Sequence, residues 1–133
     1  MKQKHSTAWK SSIQPRKQRK YVYNAPLHLK GQLLHCHLSK DLRAEHGVRA
    51  LRVRTGDTVK VLRGTHKGKE GKVESVDLRK ARITVAKIEN EKLQGGVAKY
   101  PLRPSNCMIV ALTKEKRRFP EKTEKKPVKK EKQ

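Results

Sequence analysis

Acidic and aromatic residues are scarce in this chain of 133 residues. Twelve Asp and Glu face 35 Lys and Arg, a net charge of +23 near neutrality. Small soluble domains carry roughly 2–8 charges of either sign. An excess this large destabilises a compact monomer by self-repulsion. A polyanionic partner that neutralises it is the simplest resolution, which means nucleic acid or an anionic membrane surface. Aromatics make up 4% and hydrophobic residues 33%, so one small core is the most the chain supports. Apolar runs of about 18 residues are missing, and no membrane span is expected. The opening Met1-Lys2-Gln3-Lys4-His5 has charge but no apolar segment behind it, unlike a secretory leader. Cysteine is limited to Cys36 and Cys107. That is too few for a disulfide framework and fits a reducing compartment such as the cytosol.

Catalytic signatures are missing as well. A phosphate-binding P-loop needs four residues between its glycines and then Lys-Ser/Thr. Here three separate Gly64 from Gly68, and Glu70 follows Lys69. The six histidines show no His-Glu-x-x-His spacing. His35-Cys36-His37 with Cys107 is a poor zinc set, because zinc sites usually pair their ligands at both ends. No enzyme activity, cofactor, metal or small-molecule substrate is expected.

What the chain has in abundance is positive charge, unevenly placed. Residues 1–30 hold eight Lys/Arg and no acid, and residues 113–133 hold ten against four. Tails of one sign that bury little surface stay disordered until a partner orders them. Four segments follow: a basic RNA-binding arm over 1–24, a short helical segment over 25–52, a barrel over 53–112, and a flexible Lys/Glu-rich tail over 113–133. In the arm, Arg16-Lys17-Gln18-Arg19-Lys20 can neutralise phosphates, while Tyr21 and Tyr23 offer faces for unstacked bases.

Residues 25–47 read as two short helices docked on the barrel. Pro26 suits a first turn, and Leu27, Leu29, Leu33 and Leu34 can share one apolar side. Ser39 is a candidate N-cap with Asp41 near the positive helix end, and Gly47 is a stop. Leu38, just before the cap, is placed to pack near Leu42. Beyond Val53 the pattern changes to short strands. Thr58-Val59-Lys60-Val61-Leu62 alternates as a half-buried strand does. Lys72 to Asp77 forms a second strand whose apolar phase slips between Val73 and Val76, the mark of a bulge. Ala81 to Ile88, Val97 to Tyr100 and Cys107 to Leu112 complete five strands. The last is apolar enough to be covered on both faces. Five short strands in about sixty residues imply a small, strongly bent antiparallel barrel, with Val59, Val61, Val73, Ile83, Val85 and Val110 inside. In the loop from Gly64 to Gly71, backbone amides freed from side-chain bulk have access to a phosphate, beside Lys67, Lys69 and Lys72.

The stretch from Gly56 to Val73, with Gly64, Lys67, Gly68 and Gly71 at its characteristic positions, resembles a KOW motif. That motif joins a strand, a glycine-bearing loop and a second strand in an SH3-like barrel. Alone it also fits transcription elongation factors, but these carry an additional α/β domain that residues 1–55, short and basic, do not supply. A cationic membrane binder needs an amphipathic basic helix with bulky apolar residues, whereas Trp9 and Phe119 stand isolated.

The flanks narrow the choice. Arg16-Lys17-Gln18-Arg19-Lys20, Tyr23-Asn24-Ala25-Pro26-Leu27-His28, Leu38-Ser39-Lys40-Asp41-Leu42-Arg43 and Pro104-Ser105-Asn106 resemble the universal large-subunit ribosomal protein twenty-four family. They are similar to its archaeal and eukaryotic branch, called protein twenty-six in eukaryotes, over residues 10–112. The resemblance implies a mainly β fold, an SH3-like barrel with short N-terminal helices and extended basic tails. It also implies a structural component of the large ribosomal subunit in the cytoplasm. Such a protein binds the 5′ region of large-subunit ribosomal RNA early in assembly, beside neighbouring ribosomal proteins near the nascent-peptide tunnel exit.

The residues expected to meet RNA in the arm are Arg16, Lys17, Arg19 and Lys20, with Tyr21 or Tyr23 stacking. On the barrel they are Arg63, His66, Lys67, Lys69, Lys72, Arg79, Lys80 and Arg82. Arg43, Arg49, Arg52 and Arg54 form another RNA face. His35, Cys36 and His37 match no feature of the family.

Overall fold

A computed structural model describes residues 5–6, 12–113 and 118. Helix α1 (Pro15–Asn24) starts the described body, followed by the single turn α2 (Leu27–Lys30) and a tighter 3₁₀ turn over Gly31–Leu34. Then come β1 (His35–Leu38), α3 (Lys40–His46), β2 (Ala50–Arg52), β3 (Thr58–Val61) and β4 (Glu70–Asp77). The chain continues through β5 (Arg82–Glu91), β6 (Val97–Leu102), a 3₁₀ turn over Pro104–Asn106, and β7 (Cys107–Ala111). The strands pair in the order β2-β1-β7-β3-β4-β5-β6. β1 and β7 run parallel, and the other pairs are antiparallel.

The five strands expected from alternation are all present, and the sheet bends where the phase slips. The register shifts between Val73 and Ser75, the bulge that the Val73 to Val76 spacing predicts. A second shift, between Thr84 and Glu89 of β5, has a local cause. Strict alternation from Ile83 and Val85 puts Lys87 inside. Lys87 instead takes a left-handed conformation, φ 65°, which turns its side chain to solvent and Ile88 into the core. One extra backbone step therefore exchanges a charged residue for an apolar one.

One continuous core results. Leu34, Leu38, Val59, Ile83, Ile88 and Ile109 are fully enclosed within it. Each such side chain contributes roughly 1.5–3 kcal/mol relative to exposure. Val110 is a correction: it is 37% exposed, because alternation along β7 turns its neighbour Ile109 inward. Only one face of β7 is covered, not both.

Upstream of the barrel, the expectation of a short helical segment over 25–52 misses two strands, β1 and β2. β1 exists because Cys36 and Leu38 alternate into the common core while the backbone pairs with β2 and β7. Leu27 and Leu33 stay half exposed, since the change from α to 3₁₀ winding at Gly31 breaks their common side. The second helix begins where its cap predicts. Ser39 Oγ accepts from the Leu42 N–H at 3.4 Å, and Gly47 N–H closes the end on Arg43 O at 2.8 Å. Leu42 packs against the core that holds Leu38. Residues 15–24, expected to be extended, are helical. Proline is pre-organised for a first helical position, and nothing from Arg16 to Asn24 breaks a helix.

Gly71 sets how closely β4 approaches β5. A Cβ there lies 2.5 Å from the Ala86 carbonyl oxygen and 2.8 Å from Val85 Cγ1. Gly71→Ala forces two paired strands apart and is expected to cost about 1–3 kcal/mol. The readout is a lower urea midpoint with an unchanged denaturant slope.

Candidate nucleic-acid interface

Two groups of cations lie at the two ends of β4. Its eight residues, at about 3.3 Å each, span about 26 Å. At the Glu70 end lies the loop joining β3 to β4. Arg63, Lys67, Lys69 and Lys72 are exposed there. The loop is held by its own backbone. Gly68, at φ 87°, donates its N–H to Val61 O at 2.8 Å, a conformation that side chains disfavour. The Lys67 and Lys69 amides donate to Gly64 O and His66 O at 3.0 and 3.2 Å. These three amides are therefore used internally, which leaves the exposed lysine side chains, and not these backbone groups, available to a phosphate. His66 also differs from expectation. It is 7% exposed, its Nε2–H donates to Asn90 Oδ1 at 3.2 Å, and its ring meets Tyr100 edge-on at 4.9 Å. It ties the loop to β5 and β6 and presents no face to a partner.

At the Asp77 end an open groove of about 1620 Å³ separates α1 from the face of β4, β5 and β6. Gln18, Arg19, Val22 and Tyr23 line one wall, at the spacing of a single helix side. Arg79 and Lys80, from the β4–β5 turn, and Arg82 of β5 line the other. The groove thus joins Arg19, Tyr23, Arg79, Lys80 and Arg82, all expected from sequence, and adds Lys30, Tyr100 and Arg103. Nothing local marks these three; only the fold brings them beside the arm. Arg16, Lys17 and Lys20 are exposed on α1 but do not line the groove. Of the two tyrosines, Tyr23 is 83% exposed at the groove, while the Tyr21 ring packs on His5 at 4.6 Å.

The remaining arginines are less uniform. Arg49 and Arg52 are exposed. Arg52 lays its guanidinium over Gly31, and half-buried Arg43 donates from Nε to Leu38 O at 2.8 Å. Half-buried Arg54 gives its backbone N–H to Asp57 Oδ2 at 2.9 Å.

Acids do little to cancel this field. Glu70 pairs with Lys60 at 2.8 Å and Glu74 pairs with Lys99. Asp57 is fully buried against Arg118, and Asp77 Oδ1 accepts the Lys80 N–H at 3.0 Å. Among the described residues no carboxylate pairs with Arg19, Arg79, Arg82 or Arg103. Asp77 is the one carboxylate lining the groove, and like charges in such excess over their counter-charge favour an anion.

Metal chemistry has no matching cluster among the described residues. β1 alternates, so Cys36 points inward, giving its thiol to Pro104 O at 2.8 Å, while His35 faces solvent. Burial raises the Cys36 thiol far above its ordinary range and pushes Cys107 up to about 11. Both are neutral core thiols at physiological pH. No helix among the described residues is long and apolar enough to cross a membrane.

The fold and its surface define a class: a small, strongly cationic β-barrel protein with two cationic clusters among its described residues. Comparison with known proteins gives the family. The pattern for the eukaryotic ribosomal protein L26 and its archaeal counterpart matches residues 12–126. The large ribosomal subunit protein uL24 of Methanocorpusculum labreanum is 51% identical over 102 residues, covering 77% of this chain and 84% of its own. Its counterpart in Methanospirillum hungatei is 51% identical over 107 residues, covering 80% and 89%. That of Methanothrix thermoacetophila is 50% identical over 101 residues, covering 76% and 87%. The chain belongs to this archaeal and eukaryotic family of ribosomal proteins. It is a structural, non-enzymatic constituent of the large ribosomal subunit, as the resemblance in its KOW-like stretch and flanks implies.

Proposed function

We propose that the chain binds large-subunit ribosomal RNA through the cationic faces at the two ends of β4. The observation that carries this reading is the groove. Residues distant in sequence converge there as a set of arginines and lysines with one lining carboxylate, Asp77. Lys67, Lys69 and Lys72 extend the contact from the far end of β4, where they meet the phosphates of an A-form helix. Such helices are read through shape, phosphates and 2′-hydroxyls. The exposed Arg16, Lys17 and Lys20 on the outer side of α1, together with Arg49 and Arg52, serve further strands of RNA. This is a binding function, with no bond made or broken.

The finer assignment follows family membership. The RNA is the 5′ region of the large-subunit molecule, bound early in assembly, and the protein lies near the tunnel exit beside other large-subunit proteins in the cytoplasm. Purified chain added to transcripts of separate large-subunit RNA regions is expected to retain the 5′ region in preference to the others. In cell extracts it sediments with the large subunit and resists removal at moderate salt. Equal retention of every region removes the 5′ assignment. Recovery only as free protein, or with RNA polymerase, removes the ribosomal RNA reading.

A further inference from the structure

We propose that the groove between α1 and the β4–β6 face holds a single-stranded RNA segment, with unstacked bases against Tyr23 and phosphates on Arg19, Arg79, Arg82 and Arg103. This rests on the ribosomal RNA reading above and specifies which form of RNA the site takes.

The first reason is the mixture of side chains. A duplex offers phosphates and 2′-hydroxyls but keeps its base faces covered, whereas single strands splay bases onto aromatic rings. Tyr23 lines the same groove as the four arginines, and Tyr100 lines it too but is half-buried against the core and His66, which leaves Tyr23 as the ring for a base. Tyr23 is 83% exposed, so its ring is accessible to a base. The β3–β4 loop at the other end of β4 has the opposite character. Its lysines are exposed and its one ring, His66, is turned inward, which suits phosphates alone.

The second reason is size and shape. About 1620 Å³ exceeds the roughly 300–1,000 Å³ of a small-ligand pocket. The groove is also open to solvent along the helix, which suits a strand passing through better than an enclosed metabolite.

The third reason is the weakness of the helical wall. None of the ten residues of α1 is buried, and its N-cap residue Gln14 makes no side-chain capping bond. Arg16 and Lys17 sit in the first turn, where the helix dipole disfavours positive charge. A helix this short is marginal in water without packing. Its C-terminal end is tied down by Lys30, whose Nζ donates to Tyr23 O at 3.2 Å. A polyanionic strand in the groove adds packing along the helix and the counter-charge that Asp77 alone does not supply, so α1 gains helix stability as the strand binds.

The test uses the full chain and two labelled probes: an unstructured, uridine-rich oligoribonucleotide of about ten residues and a blunt RNA duplex of equal length. Stacking on one aromatic side chain is worth about five- to hundredfold in affinity. Tyr23→Ala is therefore expected to weaken single-strand binding by that factor and to change duplex binding less than twofold. Far-ultraviolet circular dichroism is expected to show helix gained when the single strand is added, and none when the duplex is. Because Tyr23 is exposed, the variant keeps its fold, and its thermal midpoint checks this. Single-strand affinity within twofold of the parent overturns the proposal, as does an equal loss on both probes. If the parent chain binds a folded large-subunit transcript but not the oligonucleotide, the groove assignment fails and the ribosomal RNA reading stands. If it binds no RNA at all, both fail.

Discussion

Asp57→Ala is expected to lower the stability of the folded chain by about 3–5 kcal/mol, the range for removing one partner of a buried ion pair. The carboxylate is fully enclosed and its oxygens accept four hydrogen bonds. Two come from the Arg118 guanidinium, at 2.6 and 2.5 Å, and the others from the backbone N–H groups of Arg54 and Thr113, at 2.9 and 3.1 Å. Arg118 also donates to Arg52 O at 3.2 Å. Asp57 thus holds together the entry to β3, the end of β2 and the chain beyond β7. Deleting the carboxylate leaves an arginine, itself 7% exposed, with no counter-charge in the core. Pairing Asp57→Ala with Arg118→Met removes both charges and is expected to be less costly than the two single changes added together. Urea midpoints across this double-mutant cycle measure the coupling, and additivity shows that the pair is not an energetic unit.

The same group makes stability depend on acidity in a definite direction. Burial raises the Asp57 carboxyl, but the Arg118 and backbone hydrogen bonds outweigh it and leave the group below its ordinary value of 3.8. The unfolded chain therefore takes up this proton more readily than the folded one. The Asp57 contribution is present in full above the unfolded value and is lost as pH falls through the folded value. Asp57→Asn is expected to flatten the decline in stability below about pH 4. An acid limb as steep as the parent's assigns the decline to other carboxylates.

Salt is expected to have the largest effect on function. A protein neutralising six to ten phosphates loses about 10³- to 10⁵-fold in affinity between about 50 and 200 mM salt. With exposed cations at both ends of β4, binding to a large-subunit transcript is expected within this range. Changing Lys67, Lys69 and Lys72 together to Ala shortens the slope of log affinity against log salt by about 2–3, since each phosphate contact contributes about 0.7–0.9. The barrel remains folded, because all three side chains are exposed. Weaker binding with no change of slope shows that these lysines do not meet phosphate. Removing the arm residues Arg16, Lys17 and Lys20 gives an independent reduction, because they occupy a separate element.

The features legible in the sequence are those fixed by neighbours. Val59 and Val61, like Ile83 and Val85, are two apart and face one way in any strand. Val73 and Val76 are three apart and require a bulge wherever the strand lies. Ser39 caps α3 through an amide three residues away. Charge is equally local: +23 demands an anion whatever the fold. The KOW-like glycines carry the family because Gly71 answers to the backbone of the adjacent strand. Even so, the strand reading misplaced Val110, because its neighbour Ile109 is the β7 residue turned inward, and did not anticipate Ile88, because a single left-handed residue, Lys87, reverses the phase of β5.

What tertiary structure alone decided are the meetings of distant residues. Asp57 and Arg118 stand 61 positions apart, and nothing near either marks the other as its partner. β1 is a strand because β2 and β7 pair with it, although its four residues carry too little pattern to be told from a helix. Sequence names Arg19, Tyr23 and Arg82 as cations and a ring, but only the packing of α1 beside the β4–β6 face puts them with Tyr100 and Arg103 in one groove. The fold also turns His66, expected beside the loop lysines, inward. Periodicity and total charge belong to the chain in any conformation, whereas a shared cavity and a buried partner exist only after the chain has folded.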